Sequence, residues 1–215
     1  MSNKIIYNLP IKVIFIDWDD TLFLTSELNN VHPFVFNLKM KELENYIYNL
    51  LSFLNTQGII YIISNASKKW IIESCKTYLP KIYSFFIDKE IFIISAYEEY
   101  HSSSSSFSSS SSFSSSSSSS LRGGGGKEEG DGEDWKYFTM KKIITSHFFQ
   151  KNVIIISIGD SIYEQNALLK LSYQLNLKII ILKLIESPNH INLIEQYSYI
   201  INNFNNFKIN NVYNF

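Results

Sequence analysis

An unbroken apolar run, from Val13 to Ile16, ends abruptly in two aspartates that are separated by a single residue. Such β-branched and aromatic residues without polar alternation are typical of a strand buried on both faces, as in a parallel sheet covered by helices. Asp17 and Asp19 then stand at the C-terminal end of that strand. Residues two apart in an extended chain project to the same side of it. We therefore expect the two carboxylates to lie on one side of the strand end and the Trp18 side chain to lie on the other.

The same residues also have an ordinary structural interpretation. An Asp-Asp-Thr sequence after a strand suits a turn and a helix cap, because these side chains satisfy local backbone donors. The D-x-D-x-T pattern of Asp17, Asp19 and Thr21 is weak support on its own, since short motifs recur by chance. Two ionised carboxylates that lie close together repel each other, however. Such pairs usually bind a cation or take part in a reaction. We therefore favour a functional site.

Strand and helix patterns alternate five times along the chain, which predicts an α/β fold with a parallel sheet and helices on both faces. In the N-terminal half of the chain we predict a loop at 22–33 and a helix at 67–79 that is stopped by Pro80. At the other end, Asn189 is not expected to cap the last helix, and the Asn-rich ending after it is assigned no function. The predicted strands cover 13–16, 59–63, 91–94, 153–158 and 178–184, and the helices cover 36–55, 67–79, 135–149, 161–175 and about 190–203.

The composition changes completely at about 101–134, where serine tracts are followed by four glycines and an acidic run. A segment of this kind cannot bury enough apolar surface to offset the entropy lost on ordering. We predict a disordered low-complexity insertion within a single domain that spans residues 1–215.

Charge and cysteine usage restrict the class of protein. The net charge is −1 without a basic cluster, so binding to nucleic acid has little support. Cys75 is the only cysteine, which excludes an internal disulfide and fits a reducing compartment. No apolar run suits a signal peptide or a membrane span. We expect a monomer in the cytoplasm or nucleus, with no membrane or nucleic-acid partner.

Polar residues follow two further predicted strands. Ser64 and Asn65 follow the second, although a serine there is as often a helix cap as a phosphate ligand. Asp160 follows Gly159 after the fourth, where a cap is again the alternative to metal binding. Lys136 lies in the first turn of its predicted helix, where the macrodipole disfavours a cation, so we prefer a functional lysine over a solvated one. Ligands of parallel sheets bind at such strand ends.

In this order the motifs resemble those of the haloacid dehalogenase superfamily of phosphohydrolases. The resemblance covers about residues 12–184 apart from the insertion, and the SNASKKW and DWKYF segments look similar to a poorly characterised, largely protist branch. It implies a three-layer Rossmann-like domain whose five parallel strands lie in the order 3-2-1-4-5. Family members usually have a cap domain as well, but residues 22–58 are taken up by a loop and a helix and the insertion lacks the apolar pattern of a folded domain, so we expect no folded cap domain. The matching residues are Asp17, Asp19 and Thr21 for the first motif, Ser64 for the second, Lys136 for the third, and Gly159, Asp160 and Glu164 for the fourth.

The resemblance also implies a chemistry, namely Mg²⁺-dependent phosphatase activity through an aspartyl phosphate. Asp17 would be the nucleophile and Asp19 the general acid and base. Mg²⁺ would be held by the side chains of Asp17 and Asp160 and the carbonyl of Asp19.

The remaining predicted roles are supporting ones. Ser64, Asn65 and Lys136 would bind the phosphate, and Thr21 and Glu164 would support the site. An open site without a cap would accept phosphates on proteins or other large substrates. The alternatives are a capless phosphatase of small metabolites and a weakly active or inactive phosphate-binding or scaffold protein.

Overall fold

A parallel sheet of six strands, in the order β3-β2-β1-β4-β5-β6, forms the centre of the computed structural model. The model describes residues 9–105, 132–149 and 151–215. The α/β class and the parallel sheet are therefore confirmed. The strands are β1 (Ile11–Ile16), β2 (Ile59–Ser64), β3 (Phe92–Ser95), β4 (Val153–Gly159), β5 (Lys178–Lys183) and β6 (Asn211–Asn214).

The prediction of five strands was wrong, because β6 adds a sixth in the Asn-rich ending. Val212 pairs in parallel register with Ile181, and Tyr213 pairs with Leu182. Only these two residues of β6 are of types that favour strands, and they stand between asparagines. The sequence pattern is therefore too short to predict β6, and it is the pairing with β5 that holds this segment extended.

Helices cover both faces of the sheet, since apolar residues of the strands contribute alternately to two buried clusters. Ile14 and Ile16 of β1 belong to the cluster shared with α2, α3, α4 and α8, whereas Val13 and Phe15 belong to that shared with α6 and α7. The helices are α1 (Thr25–Leu28), α2 (Pro33–Gln57), α3 (Lys68–Tyr78), α4 (Pro80–Asp88), α5 (Ala96–Ser105), α6 (Gly132–His147), α7 (Ile162–Leu175) and α8 (His190–Asn203).

Two local predictions need correction, one for the loop 22–33 and one for Asn189. The short helix α1 lies in the predicted loop 22–33. The helix before Pro80 does end where predicted, since α3 stops at Tyr78, and Pro80 then occupies the first turn of a further helix, α4, where its missing N–H costs nothing. Asn189 does cap α8, since its side chain accepts a hydrogen bond from Asn192 N at 3.0 Å while the Asn192 side chain accepts one from Asn189 N.

The predicted insertion at 101–134 meets the described residues only at its two ends, and both ends are helical. Residues 101–105 continue α5, and residues 132–134 begin α6. The two helices pack through aromatic rings: Tyr97 lies 5.0 Å from Trp135, and Tyr100 lies 5.7 Å from Phe138, between ring centroids. The rest of the predicted insertion, 106–131, lies outside the described residues.

Across the ranges that the model describes, none of the helices combines the length and the apolarity needed to cross a lipid bilayer.

Candidate functional site

The loop after β1 carries the first group of site residues. Asp17 N donates to Ile158 O of β4 at 3.0 Å, which places this aspartate beside the end of the neighbouring strand. Trp18 turns away as predicted: it is fully buried and stacks on Phe23, with ring centroids 5.8 Å apart. Asp20 adopts a positive φ of 50°, a conformation that aspartate tolerates better than most residues. Asp17 and Trp18 therefore lie in different surroundings, as expected for neighbouring residues at the end of a strand.

Lys136 forms the centre of a buried charged cluster. Its Nζ lies 2.8 Å from Asp17 Oδ1 and also contacts Glu164 Oε1 of α7. Only 1% of Lys136 is exposed, although it is charged. Gly159 permits this approach, because a Cβ at that position would meet Glu164 Cγ at 3.0 Å. Sequence reasoning selected all three charged residues, but α6 begins earlier than predicted and places Lys136 beyond its first turn.

Burial acts in opposite directions on the pKa values of Asp17 and Lys136. Burial raises the pKa of Asp17 well above that of an ordinary aspartate; Lys136 opposes this increase and Glu164 adds to it. Burial would lower the pKa of Lys136, but the carboxylates of Asp17 and Glu164 outweigh it and leave the pKa raised. Lys136 is therefore held as an ammonium ion between the two carboxyl groups.

Asp160 is tied to the first loop through Thr21. Thr21 Oγ1 donates to Asp160 Oδ1 at 3.4 Å, and Asp160 N donates to Thr21 Oγ1 at 3.1 Å. Thr21 is fully buried, and its carbonyl accepts a hydrogen bond from the Tyr197 hydroxyl of α8 at 2.5 Å. The predicted supporting residue Thr21 therefore connects the ends of β1 and β4 to a helix on one face of the sheet.

Asp160 makes the stability of the metal-free protein depend on pH. Burial, followed by the charges of Glu164 and Asp20, raises its pKa from 3.8 to about 7. The folded state therefore binds more protons than the unfolded state, and stability falls as the pH rises from about 4 through 7. In the presence of a chelator, Asp160→Asn should raise the free energy of unfolding at pH 8 by about 2 kcal/mol, a value reduced for solvent screening.

Urea unfolding at several pH values measures this effect. The gain should disappear near pH 4, where the aspartate is protonated in the folded state. Asp88→Asn is the matched control, since Asp88 is exposed at the end of α4 and should show no such gain at pH 8. Equal stability of Asp160→Asn and the unchanged protein at pH 8 would contradict the raised pKa of Asp160.

Asp19 is held by donors from three separate segments. Ser64 Oγ donates to Asp19 Oδ2 at 2.9 Å, whereas Thr25 Oγ1 and Trp70 Nε1 donate to Asp19 Oδ1 at 2.5 and 3.0 Å. Ser64 also accepts a hydrogen bond from Ala66 N at 3.0 Å. The predicted phosphate ligand Ser64 thus contacts the predicted general acid, and its hydroxyl proton is already engaged there.

Asn65, the other predicted phosphate ligand after β2, contacts the start of α6. Its Nδ2 donates to Gly132 O at the start of α6, at 3.3 Å, and its Oδ1 is buried without a hydrogen-bond partner among the described residues. In this arrangement Asn65 anchors α6 to the end of β2. A phosphate would have to displace that contact to use the same amide.

Three residues of the site were not predicted from the sequence: Thr25, Trp70 and Tyr197. Thr25 and Trp70 bind Asp19, and Tyr197 binds the Thr21 carbonyl. Thr25 was assigned to a loop, and Trp70 and Tyr197 have the spacing of ordinary helix core residues. No local pattern distinguishes these roles, since each contact joins segments that are brought together only by the fold.

The predicted Mg²⁺ would need oxygen ligands from the aspartates of the site. In the described parts of the chain, no three His, Cys, Asp or Glu side chains form a metal-binding group. Asp17 and Asp160 nevertheless follow the neighbouring strands β1 and β4 directly, and burial raises the pKa of both carboxyl groups. Mg²⁺ is commonly bound by one or two carboxylates, with water and phosphate completing its shell. The carboxyl groups of Asp17 and Asp160 therefore have the chemistry that the predicted Mg²⁺ would need, and the ion itself stays a prediction.

The fold and the site together define an α/β protein with an acidic, lysine-centred cluster at the carboxyl edge of a parallel sheet. No family model, curated protein or solved structure matches the chain. The resemblance to the haloacid dehalogenase superfamily remains a prediction from the motifs.

Proposed function

We propose that this chain is a Mg²⁺-dependent phosphohydrolase of the haloacid dehalogenase type, with Asp17 as the nucleophile. One observation supports this proposal above the others. Asp17 and Asp19, Ser64, Lys136, and Asp160 with Glu164 come from four distant segments and meet at the ends of β1, β2 and β4. A structural turn or cap would need none of these contacts, whereas a phosphoryl-transfer site needs a nucleophile, a fixed cation and a proton donor together.

In the proposed reaction each residue of the site would have a separate role. An Asp17 oxygen attacks the phosphorus atom, the bond to the leaving oxygen breaks, and an aspartyl phosphate forms. Asp19 gives a proton to the leaving oxygen and later takes one from the water that hydrolyses the intermediate. Lys136, fixed by Asp17 and Glu164, has a third N–H with which to stabilise charge on the phosphoryl oxygens.

Mg²⁺ would be held by the side chains of Asp17 and Asp160 and the carbonyl of Asp19, where it supplies positive charge against which a phosphate dianion and a carboxylate can approach each other. Thr21 would orient Asp160 for this role through its two hydrogen bonds. Within the described ranges no separate cap domain covers this edge, so the proposed site is open. Phosphorylated proteins and small phosphate esters are both compatible with such an opening.

A second candidate function is phosphate binding without turnover, and the surroundings of Asp19 favour it. Both carboxylate oxygens of Asp19 accept hydrogen bonds, and the donors are three side chains. A side chain whose two oxygens are both engaged in this way suits a structural residue that holds the loop after β1 in place. In that case the protein would bind a phosphate group and act as a scaffold.

Turnover of a generic aryl phosphate separates the two functions. The purified chain should release phosphate in the presence of Mg²⁺, lose this activity when the ion is chelated, and regain it when Mg²⁺ is added in excess. Thermal unfolding at each step is the control, because loss of activity through unfolding would not be reversed. If the folded protein released no phosphate with any divalent metal ion or at any pH tested, the enzyme would be refuted and phosphate binding without turnover would be the remaining function.

A further inference from the structure

Three side-chain donors fix the carboxylate of Asp19, although the residue itself is only half-buried. Asp19 Oδ1 accepts hydrogen bonds from Trp70 Nε1 at 3.0 Å and from Thr25 Oγ1 at 2.5 Å. The other oxygen, Oδ2, accepts one from Ser64 Oγ at 2.9 Å. An ionised carboxylate has about four acceptor positions, two on each oxygen. The three donors occupy three of these positions, so the position that stays open is on Oδ2.

The indole N–H of Trp70 is the donor whose presence packing does not explain. Trp70 lies in the first turn of α3, and its ring meets the Phe23 ring edge-on, with the centroids 5.8 Å apart. A phenylalanine at this position would make the same kind of ring contact. What tryptophan adds is a single N–H donor, and here that donor binds Asp19.

Trp70 is itself held in place by its backbone. Trp70 N donates to the Ser67 hydroxyl at 3.2 Å, and Trp70 O accepts a hydrogen bond from Ser74 Oγ at 2.7 Å. The Ser74 hydroxyl also accepts a hydrogen bond from Trp18 Nε1 at 3.1 Å. Helix α3 therefore binds two consecutive residues of the loop after β1, Trp18 through Ser74 and Asp19 through Trp70. The orientation of the Asp19 carboxylate is thus fixed relative to a helix rather than to its own loop alone.

We propose that Trp70 is a positioning residue for proton transfer by Asp19, an inference that rests on the proposed phosphohydrolase function. Together with Thr25, the indole N–H holds Oδ1, so that the open position on Oδ2 carries the proton that is transferred. This proton moves from Oδ2 to the leaving oxygen as the bond between phosphorus and that oxygen breaks. A proton from the attacking water later returns to Oδ2. Because Trp70 acts through Asp19, its N–H should matter only where the leaving oxygen needs a proton.

The choice of leaving group tests this role. Phenol is a weak acid, so the oxygen that leaves phenyl phosphate needs a proton, whereas dinitrophenol is acidic enough to leave as an anion. Trp70→Phe should lower kcat/KM for phenyl phosphate by about tenfold and kcat/KM for dinitrophenyl phosphate by about twofold or less. The comparison uses kcat/KM because, for a reaction through an aspartyl phosphate, this constant covers the steps up to departure of the leaving group.

Trp135→Phe is the matched control, since it makes the same chemical change in α6. Trp135 Nε1 has no hydrogen-bond partner among the described residues, so kcat/KM should stay nearly unchanged for both substrates. Inhibition by inorganic phosphate gives a second measurement. Its inhibition constant should be the same in Trp70→Phe as in the unchanged protein, because phosphate would be held by Ser64 and Lys136 rather than by Asp19.

The two substrates separate this inference from the proposed function. Equal loss of kcat/KM with both substrates in Trp70→Phe, or no loss with either, would overturn the positioning role and keep the enzyme. Absence of turnover by the unchanged protein would refute the enzyme, and the positioning role with it. Thr25→Val removes the other donor to Oδ1 and should show the same selective loss, so it decides the question if Trp70→Phe does not fold.

Discussion

Replacement of Asp17 by asparagine should lower kcat for aryl phosphate hydrolysis by about 10³-fold or more, with little loss of stability. An amide is a poor nucleophile and carries no charge to bind a cation, so both proposed functions of the carboxylate disappear together. Lys136 still has Glu164 as an ion partner in this variant. Because burial already raises the pKa of Asp17, loss of its charge removes a destabilising term as well as an ion pair.

The neighbouring aspartate supplies the control for this measurement. Asp20→Asn makes the same chemical change three residues away, at a position whose φ of 50° suits asparagine equally well. An asparagine there can still accept the hydrogen bond that Asp20 Oδ1 receives from Ser26 N at 2.9 Å. Asp20→Asn should therefore retain most of the turnover. If Asp17→Asn retained it as well, the activity would have to come from another residue or from a contaminant.

Replacement of Lys136 by methionine should destabilise the fold by about 3–5 kcal/mol at neutral pH. The variant leaves Asp17 and Glu164 buried against each other without their shared cation. The loss should decrease as the pH falls, because Asp17, whose pKa is already raised by burial, can then take up a proton and become neutral. Denaturant unfolding at pH 5 and pH 8 measures both the size and the pH dependence of the effect.

Two further variants show whether charge is the cause. Addition of Glu164→Gln to Lys136→Met removes one of the stranded carboxylates and should recover part of the lost stability, so the two changes should not be additive. Lys142→Met changes another lysine of α6, but that side chain is 53% exposed and pairs with Glu99, so it should cost about 1 kcal/mol or less. Equal losses for Lys136→Met and Lys142→Met would contradict a buried, charge-dependent cluster.

Much of the fold could be predicted because the relevant patterns are local. The apolar runs that become β1, β2, β4 and β5 are buried on both faces, and helical periodicity marks α2 between β1 and β2. Asp17, Ser64 and Asp160 could be selected for the same reason, since each follows such a run directly. Parallel strands present their carboxyl ends at one edge, so the sequence determined that these residues would lie near one another.

The remaining features depended on the tertiary structure, because they arise from contacts between segments distant in the chain. β6 is extended only because it pairs with β5. Lys136 is buried only because Asp17 and Glu164 meet its ammonium group. The donors from Thr25 and Trp70 to Asp19 have no counterpart in local sequence. Periodicity specifies which face of an element is apolar, whereas the partner of a buried polar group is specified only by how the elements pack.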